Sequence, residues 1–301
     1  MTNLILSRRD AIPLAHALAA RLADRAGIRA LSIKGPVADY YGLRAPRLSA
    51  DADVLVEPDR FDEYCRLLEE RGWHQRVGRD TPSVLPPHSR TYIHDSWPCD
   101  LDIHWMFPGF FAQPVDVFEV LWSEREELQT GHVEMSAPSR PASAVIGLLH
   151  AIRNEQVPRH VAERSALVAL VIENFSVKER EAFYSIAKAG GALWVLRDII
   201  DATGVGPVVV DATPDDRRRW LLYSDSVELR AAAGWWEILR ATPWWGRAGL
   251  VYRAIWVPRA DIPRNDRDSP LGILEVVRYQ IERMGRGVRG TLRYVVRLGR
   301  R

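Results

Sequence analysis

Apolar and polar positions alternate with two different periods along the first half of this chain, and with one, the helical period, along most of the second. Leu14, Leu18 and Leu22 recur at helical spacing between Ile12 and Ala26, and Gly27 stops the run. The stretch 30–33 reads as a short buried strand leading into Lys34-Gly35, and Pro36 opens a short helix that reaches Tyr41. An arginine-bearing loop, 42–49, comes next. The clearest strand is 51–57; Asp59 is the expected N-cap of a helix in which Phe61, Tyr64, Leu67 and Leu68 share a face as far as Gly72. Residues 73–77 read as another strand, 79–87 with three prolines as a loop, and 92–94 with 99–105 as paired strands about a turn at Asp95-Ser-Trp-Pro98.

Beyond Pro108 the pattern changes. A helix is expected at 115–122 and a short strand at 132–135, after which helical periodicity dominates: 142–153, 160–174, 178–189, 193–202, 215–223, 227–239, 246–255 and 273–285. These elements imply an α+β fold with a mixed α/β domain over residues 1–138 and an α-helical domain over 139–301.

Composition narrows the function classes. With 47% apolar residues in 301, a substantial core forms, and a formal charge of +2 gives no general case for nucleic-acid binding. Cys65 and Cys99 stand far apart and outside any metal-binding spacing, which suits a reducing cytoplasm. The opening apolar run breaks at Ser7-Arg8-Arg9, too early for a signal peptide, and no stretch approaches the roughly 18–20 apolar residues of a membrane span. A soluble cytoplasmic protein is therefore expected. Of 41 basic residues three are lysines, so Lys34 departs from the arginine habit of the chain.

The strongest chemical signal is Ser49-Ala-Asp51-Ala-Asp53-Val-Leu-Val. Alternate residues of a strand share a face, so Asp51 and Asp53 project together and repel unless a cation lies between them. Hard divalent ions favour such oxygen ligands; a solvated strand edge would carry them equally well. Asp100-Leu-Asp102-Ile-His104-Trp105 repeats the pattern, with Leu101, Ile103 and Trp105 toward the core and Asp100, Asp102 and His104 opposite. Aspartate is unfavourable in strands, so two acid-bearing strands suggest one shared site.

Together, Lys34-Gly35, then Arg47-Leu-Ser49-Ala-Asp51-Ala-Asp53, Gly72-Trp73 and Asp102-Ile-His104-Trp105 resemble the uncharacterised nucleotidyltransferase family of the DNA-polymerase-β-like superfamily, over roughly Ala30 to Phe107 with an echo at Leu148-Leu-His150. The resemblance implies a polymerase-β-like domain that moves a nucleoside monophosphate from an NTP to a hydroxyl or phosphate. It implies that Asp51, Asp53 and Asp102 are catalytic and hold Mg²⁺, or Mn²⁺ in its place, and that Asp102 takes the proton of the attacking hydroxyl. Lys34, Gly35, Arg47, Ser49 and His104 would contact the nucleotide. Where the superfamily usually has glycine-serine, this chain has Lys34-Gly35, and a lysine neutralises phosphate as a point charge. The acceptor is expected to be a small molecule, peptide or protein rather than RNA. Rival readings are a non-catalytic nucleotide-binding module and a D-x-D glycosyltransferase, the latter with fifty residues before Asp51 and no account of the second acidic strand.

Two features stay outside this scheme. From Arg283 to Arg301 the chain is basic with no acid after Glu282, which reads as a terminal helix or as a grip on an acidic partner. Trp235, Trp236, Trp244 and Trp245 read as helix packing or as a stacking surface, and His150 and His160 as structural.

Overall fold

The computed structural model describes residues 6–76, 87–153, 157–207, 212–223, 238–240, 242–256 and 272–299. Most of the expected loop at 79–87 and of the helix at 227–239, and Trp235 and Trp236, lie outside these residues. The chain forms two compact units, the first running to Asp216 and the second taking the chain from Arg217 onward.

The first unit is built on a mixed five-stranded sheet of β1 (Ala30–Ile33), β2 (Asp51–Val56), β3 (His74–Gln75), β4 (Ser89–Ile93) and β5 (Asp100–His104), ordered β1-β2-β5-β4-β3. Its central pair, β2 and β5, is parallel, and the other neighbours are antiparallel. Helices α1 (Arg8–Ala26) and α3 (Phe61–Glu69) cover one face. There Ala15, Ala19 and Leu22 of α1 and Tyr64 and Leu68 of α3 pack with Val54, Leu101 and Ile103. Truncating one such buried leucine to alanine typically costs ~2–5 kcal/mol. The Tyr64 hydroxyl donates to the Ala19 carbonyl at 3.0 Å, so α3 is tied to α1 as well as packed on it.

Ser7 caps α1 by accepting from the Asp10 amide, and Gly27 ends the helix where the sequence pattern stops. The cap expected at Asp59 is not formed. Residues Pro58–Arg60 make a 3₁₀ turn, and Arg60 occupies the N-cap of α3 without a side-chain cap bond. Pro58 opens this turn, and Glu57 just before it is held by Arg29 at 2.9 Å.

Between α4 (Pro114–Ser123) and α5 (Arg140–Arg153) lies a hairpin of β6 (Arg125–Thr130) and β7 (Val133–Pro138), of which the sequence pattern announces only β7. Leu128 is the lone apolar residue of β6, so its alternation is invisible. Gly131 (φ 52°) and His132 (φ 61°) form the two-residue turn, both with the positive φ that suits the twist of a tight hairpin. A Cβ on Gly131 would stand 3.3 Å from Ala17 of α1, so glycine also allows this close approach.

The short helix α2 (Gly35–Tyr40) follows β1, and α5, α6 (Pro158–Asn174), α7 (Val177–Ala189) and α8 (Arg197–Thr203) complete the unit, α5 packing on α6 and α7. The sheet-bearing unit thus runs well past residue 138 into the helical stretch. The boundary between units falls within α9 (Pro214–Leu222). The second unit contains α10 (Trp244–Ile255) and α11 (Ile273–Gly299), which touch each other. The sequence pattern foresees α11 only to residue 285, because Gly285, Gly287 and Gly290 interrupt it.

Candidate functional site

The parallel pairing of β2 with β5 sets Asp51 beside Asp100, Asp53 beside Asp102 and Leu55 beside His104. All six project from the face opposite α1 and α3, because the alternating Ala52, Val54, Leu101 and Ile103 occupy that helix-covered face. Two acid-bearing strands distant in sequence thereby become one row of carboxylates.

Asp53 and His104 are buried, at 5% and 1% exposure, so this is not a solvated sheet face. His104 Nε2 stands 3.0 Å from Asp53 Oδ1 and 3.2 Å from Asp102 Oδ2. Both neighbours are carboxylate oxygens, so Nε2 carries the proton and donates. Its Nδ1 is buried with no hydrogen-bond partner among the described residues. Thr91 Oγ1 donates to the other oxygen of Asp102 at 3.1 Å. Lys34 Nζ donates to Asp53 Oδ1 at 2.5 Å and lies 5.5 Å from the centre of the Phe107 ring.

These contacts determine the charge states. Burial pushes the Asp53 carboxyl up, but Lys34 and His104 together hold it well below the usual carboxylate range. Asp102 is likewise depressed: burial opposes, and the charge and hydrogen bond of His104 prevail. Burial favours neutral His104, yet the Asp102 and Asp53 carboxylates raise it above the ordinary histidine value. Asp51 differs. Burial and the neighbouring Asp53 charge push it up to about 6, and Lys34 offsets only part of this. The row is short of positive charge at the Asp51 end.

That shortage is what a cation would correct. Asp53, Asp102 and His104 offer ligand atoms that all lie within 4.8 Å of one another. Asp51, in line with them on β2, adds a third carboxylate, and an oxygen-rich set of this kind suits a hard divalent ion. Asp100, the fourth acid of the row, is engaged by Arg76 at 2.7 Å.

Lys34 is presented to Asp53 by unusual backbone. At φ 57°, ψ −145° it lies in a region that only glycine enters freely, and it forms the N-cap of α2. Gly35 follows at φ 36°, and a Cβ there would meet Ser49 Oγ at 3.4 Å and His16 Nε2 at 3.5 Å. The β1–α2 turn therefore lies close against the segment that leads into β2.

A cavity of about 320 Å³ opens in front of this turn. Its acidic end is formed by Asp51 and Asp53, and its basic wall by Lys34, Arg44, Arg47 and Arg159. Arg44 grips Asp39 through two bonds and donates to Ser49 Oγ at 3.1 Å. Arg47 pairs with Glu163 of α6 at 3.2 Å, and burial, with Arg44 beside it, lowers its guanidinium below the ordinary value. Among the residues expected from sequence, Lys34, Gly35, Arg47, Ser49, Asp51 and Asp53 line this cavity, whereas Asp102 and His104 stand behind Asp53. Here His104 orients carboxylates and does not face the cavity.

Sequence reasoning passes over Arg159 and Glu163, leaves Arg44 as a loop arginine and reads His150 and His160 as structural; all five line the cavity. The rings of His150 (α5) and His160 (α6) lie 4.9 Å apart, and burial keeps His150 neutral by lowering it well below the ordinary value. The one signal that could have found His150 is the Leu148-Leu-His150 echo; nothing local marks the others.

Among solved structures the chain is similar to an antigenic nucleotidyltransferase-like protein from Paracoccidioides brasiliensis, at 12% identity over 64% of this chain and 94% of that one, with a TM-score of 0.39. It is similar also to the antibiotic-resistance factor ANT(2'')-Ia, at 14% identity over 62% of this chain and 96% of that one, again with a TM-score of 0.39. No curated protein matches it. The model of the family described as uncharacterised nucleotidyltransferase matches residues 12–197, which span every strand of the sheet and the whole cavity wall, and the chain belongs to that family.

Proposed function

We propose that this protein transfers a nucleoside monophosphate from a nucleoside triphosphate to a hydroxyl or phosphate of a small molecule, peptide or protein, with Mg²⁺ or Mn²⁺ as cofactor. The observation that carries this reading is the in-register row of Asp51, Asp53 and Asp102 on two adjacent parallel strands, opening beside a basic cavity wall.

Asp51, Asp53 and Asp102 would hold the metal. When bound, it would stabilise negative charge on the attacking and departing oxygens. The protein's own groups do the rest. Lys34, Arg44 and Arg47 neutralise and orient the triphosphate along the cavity wall. Gly35 lets the phosphates approach the β1–α2 backbone. His104 fixes the directions of Asp53 and Asp102 through one N–H shared between them. The cavity, about 320 Å³, is at the lower end of the small-molecule range.

The test is incubation with each of the four α-labelled nucleoside triphosphates, with and without Mg²⁺, alongside extract as a source of acceptor. Metal-dependent label transfer that disappears in Asp53→Asn is expected. Metal-dependent binding without pyrophosphate release would assign the chain to the non-catalytic class, and no binding at all would overturn the nucleotide reading.

A further inference from the structure

Helix α11 presents two chemically opposed surfaces. Ile273, Leu274, Val277, Ile281, Met284, Val288, Leu292 and Val296 are all exposed, between 42% and 84%. At 100° per residue they fall on one continuous arc along the length of the helix. Arg278, Arg286 and Arg289 are exposed on the adjoining side, with Arg283 half-buried beyond them. After Glu282 the sequence holds seven arginines in all, Arg283, Arg286 and Arg289 included, and no acid. The neighbouring α10 contributes exposed Trp244, Trp245 and Tyr252, and Trp256 at its C-cap is exposed too.

An apolar stripe of this extent is not left to water without a partner. Three properties select among partners. The arc is wider than the narrow two-position seam of a coiled coil, and glycines at 285 and 287 stand at its margins, where a second helix would need side chains to close the seam. The polar side is arginine-rich, which fits a surface of fixed negative charge. The exposed tryptophans and tyrosine join an apolar body to a polar tip, as rings at a bilayer interface do. No described helix is long and apolar enough to cross a membrane. What fits is a helix lying in the plane of the headgroups, its apolar arc sunk among acyl chains and its arginines on anionic lipid.

We propose that α11, with the exposed aromatic residues of α10, docks the protein on an anionic lipid surface. This holds whether or not the cavity of the first unit turns over a nucleotide, because it stands on different residues in the other unit.

The experiment uses the full chain and two vesicle preparations, phosphatidylcholine alone and phosphatidylcholine mixed equally with phosphatidylglycerol, read by co-sedimentation and tryptophan fluorescence. Binding is expected to the anionic vesicles, weakening as salt rises, and not to the neutral ones. Each arginine near an anionic surface strengthens partitioning about fivefold, so Arg286→Ser/Arg289→Ser should weaken it on the order of 25-fold. Arg286→Lys/Arg289→Lys should retain binding, because charge rather than guanidinium geometry is used. Ile281→Ser/Val288→Ser/Leu292→Ser should abolish it with the far-ultraviolet dichroism in buffer unchanged. Absence of binding to the anionic vesicles, or binding indifferent to both sets of substitutions, would overturn the proposal. So would a dimer in sedimentation that the serine variant disperses while no vesicle binding occurs, or binding to single-stranded RNA in place of vesicles.

Discussion

At the scale of single residues, Lys34 concentrates the opposing forces in the site. Its backbone conformation costs roughly 1–3 kcal/mol, and in return its ammonium compensates a carboxylate that is almost sealed from water. Removing one partner of a buried pair costs about 3–5 kcal/mol, more than relief of the strain returns. Lys34→Gly should therefore lower stability by about 2 kcal/mol in chelator, by urea denaturation. Mg²⁺ should restore more of the loss in the variant than it adds to the parent, since an ion then meets an unneutralised Asp53. Equal response to Mg²⁺ in both proteins would argue against a cation site at Asp53. Asp53→Asn and Asp102→Asn preserve shape and remove charge where a transferring phosphoryl group would be stabilised. Each should lower turnover by about 10²–10³ or more, with the circular dichroism spectrum retained. Parent-like rates in both would sink the proposed site.

At the scale of elements, the join between α1 and β1 carries a built-in acid sensitivity. His16 of α1 is fully buried, with Nδ1 3.1 Å from Ser32 Oγ of β1, and burial lowers it from 6.5 to about 4 although the Asp53 charge pulls the other way. Below pH 6.5 the unfolded chain takes up a proton that the folded one refuses. The stability that neutral His16 contributes is thus present above pH 6.5 and lost as pH falls toward 4, on the order of 3 kcal/mol at the limit. His88 and His150, also lowered well below their ordinary value by burial, act with the same sign. A plot of Tm against pH should fall through this window, and less steeply in His16→Gln. The β strands carrying the acids were legible because aspartate at alternate positions is unusual in a strand and apolar residues fill the positions between. β6 was not, since Arg125-Glu-Glu-Leu-Gln-Thr has a single apolar residue and takes its strand conformation from pairing with β7.

At the scale of the whole molecule, the described residues of the family-matched span 12–197 lie within one compact unit and the basic helix lies in the other. Truncation after Glu282 should therefore leave metal-dependent nucleotide binding unchanged by calorimetry while removing the basic segment. A weakened affinity would mean that the nucleotide site extends into the second unit. Sequence by itself determined the α+β class, the alternating acids of β2 and β5 and the lysine-glycine turn, because each is written in the spacing of a few neighbouring residues. Only the tertiary structure decided that β2 and β5 are parallel neighbours, that one histidine N–H serves both Asp53 and Asp102, and that Glu163 of a later helix meets Arg47 across the cavity. Those facts depend on which distant segments the chain brings together, and local periodicity does not specify a pairing partner.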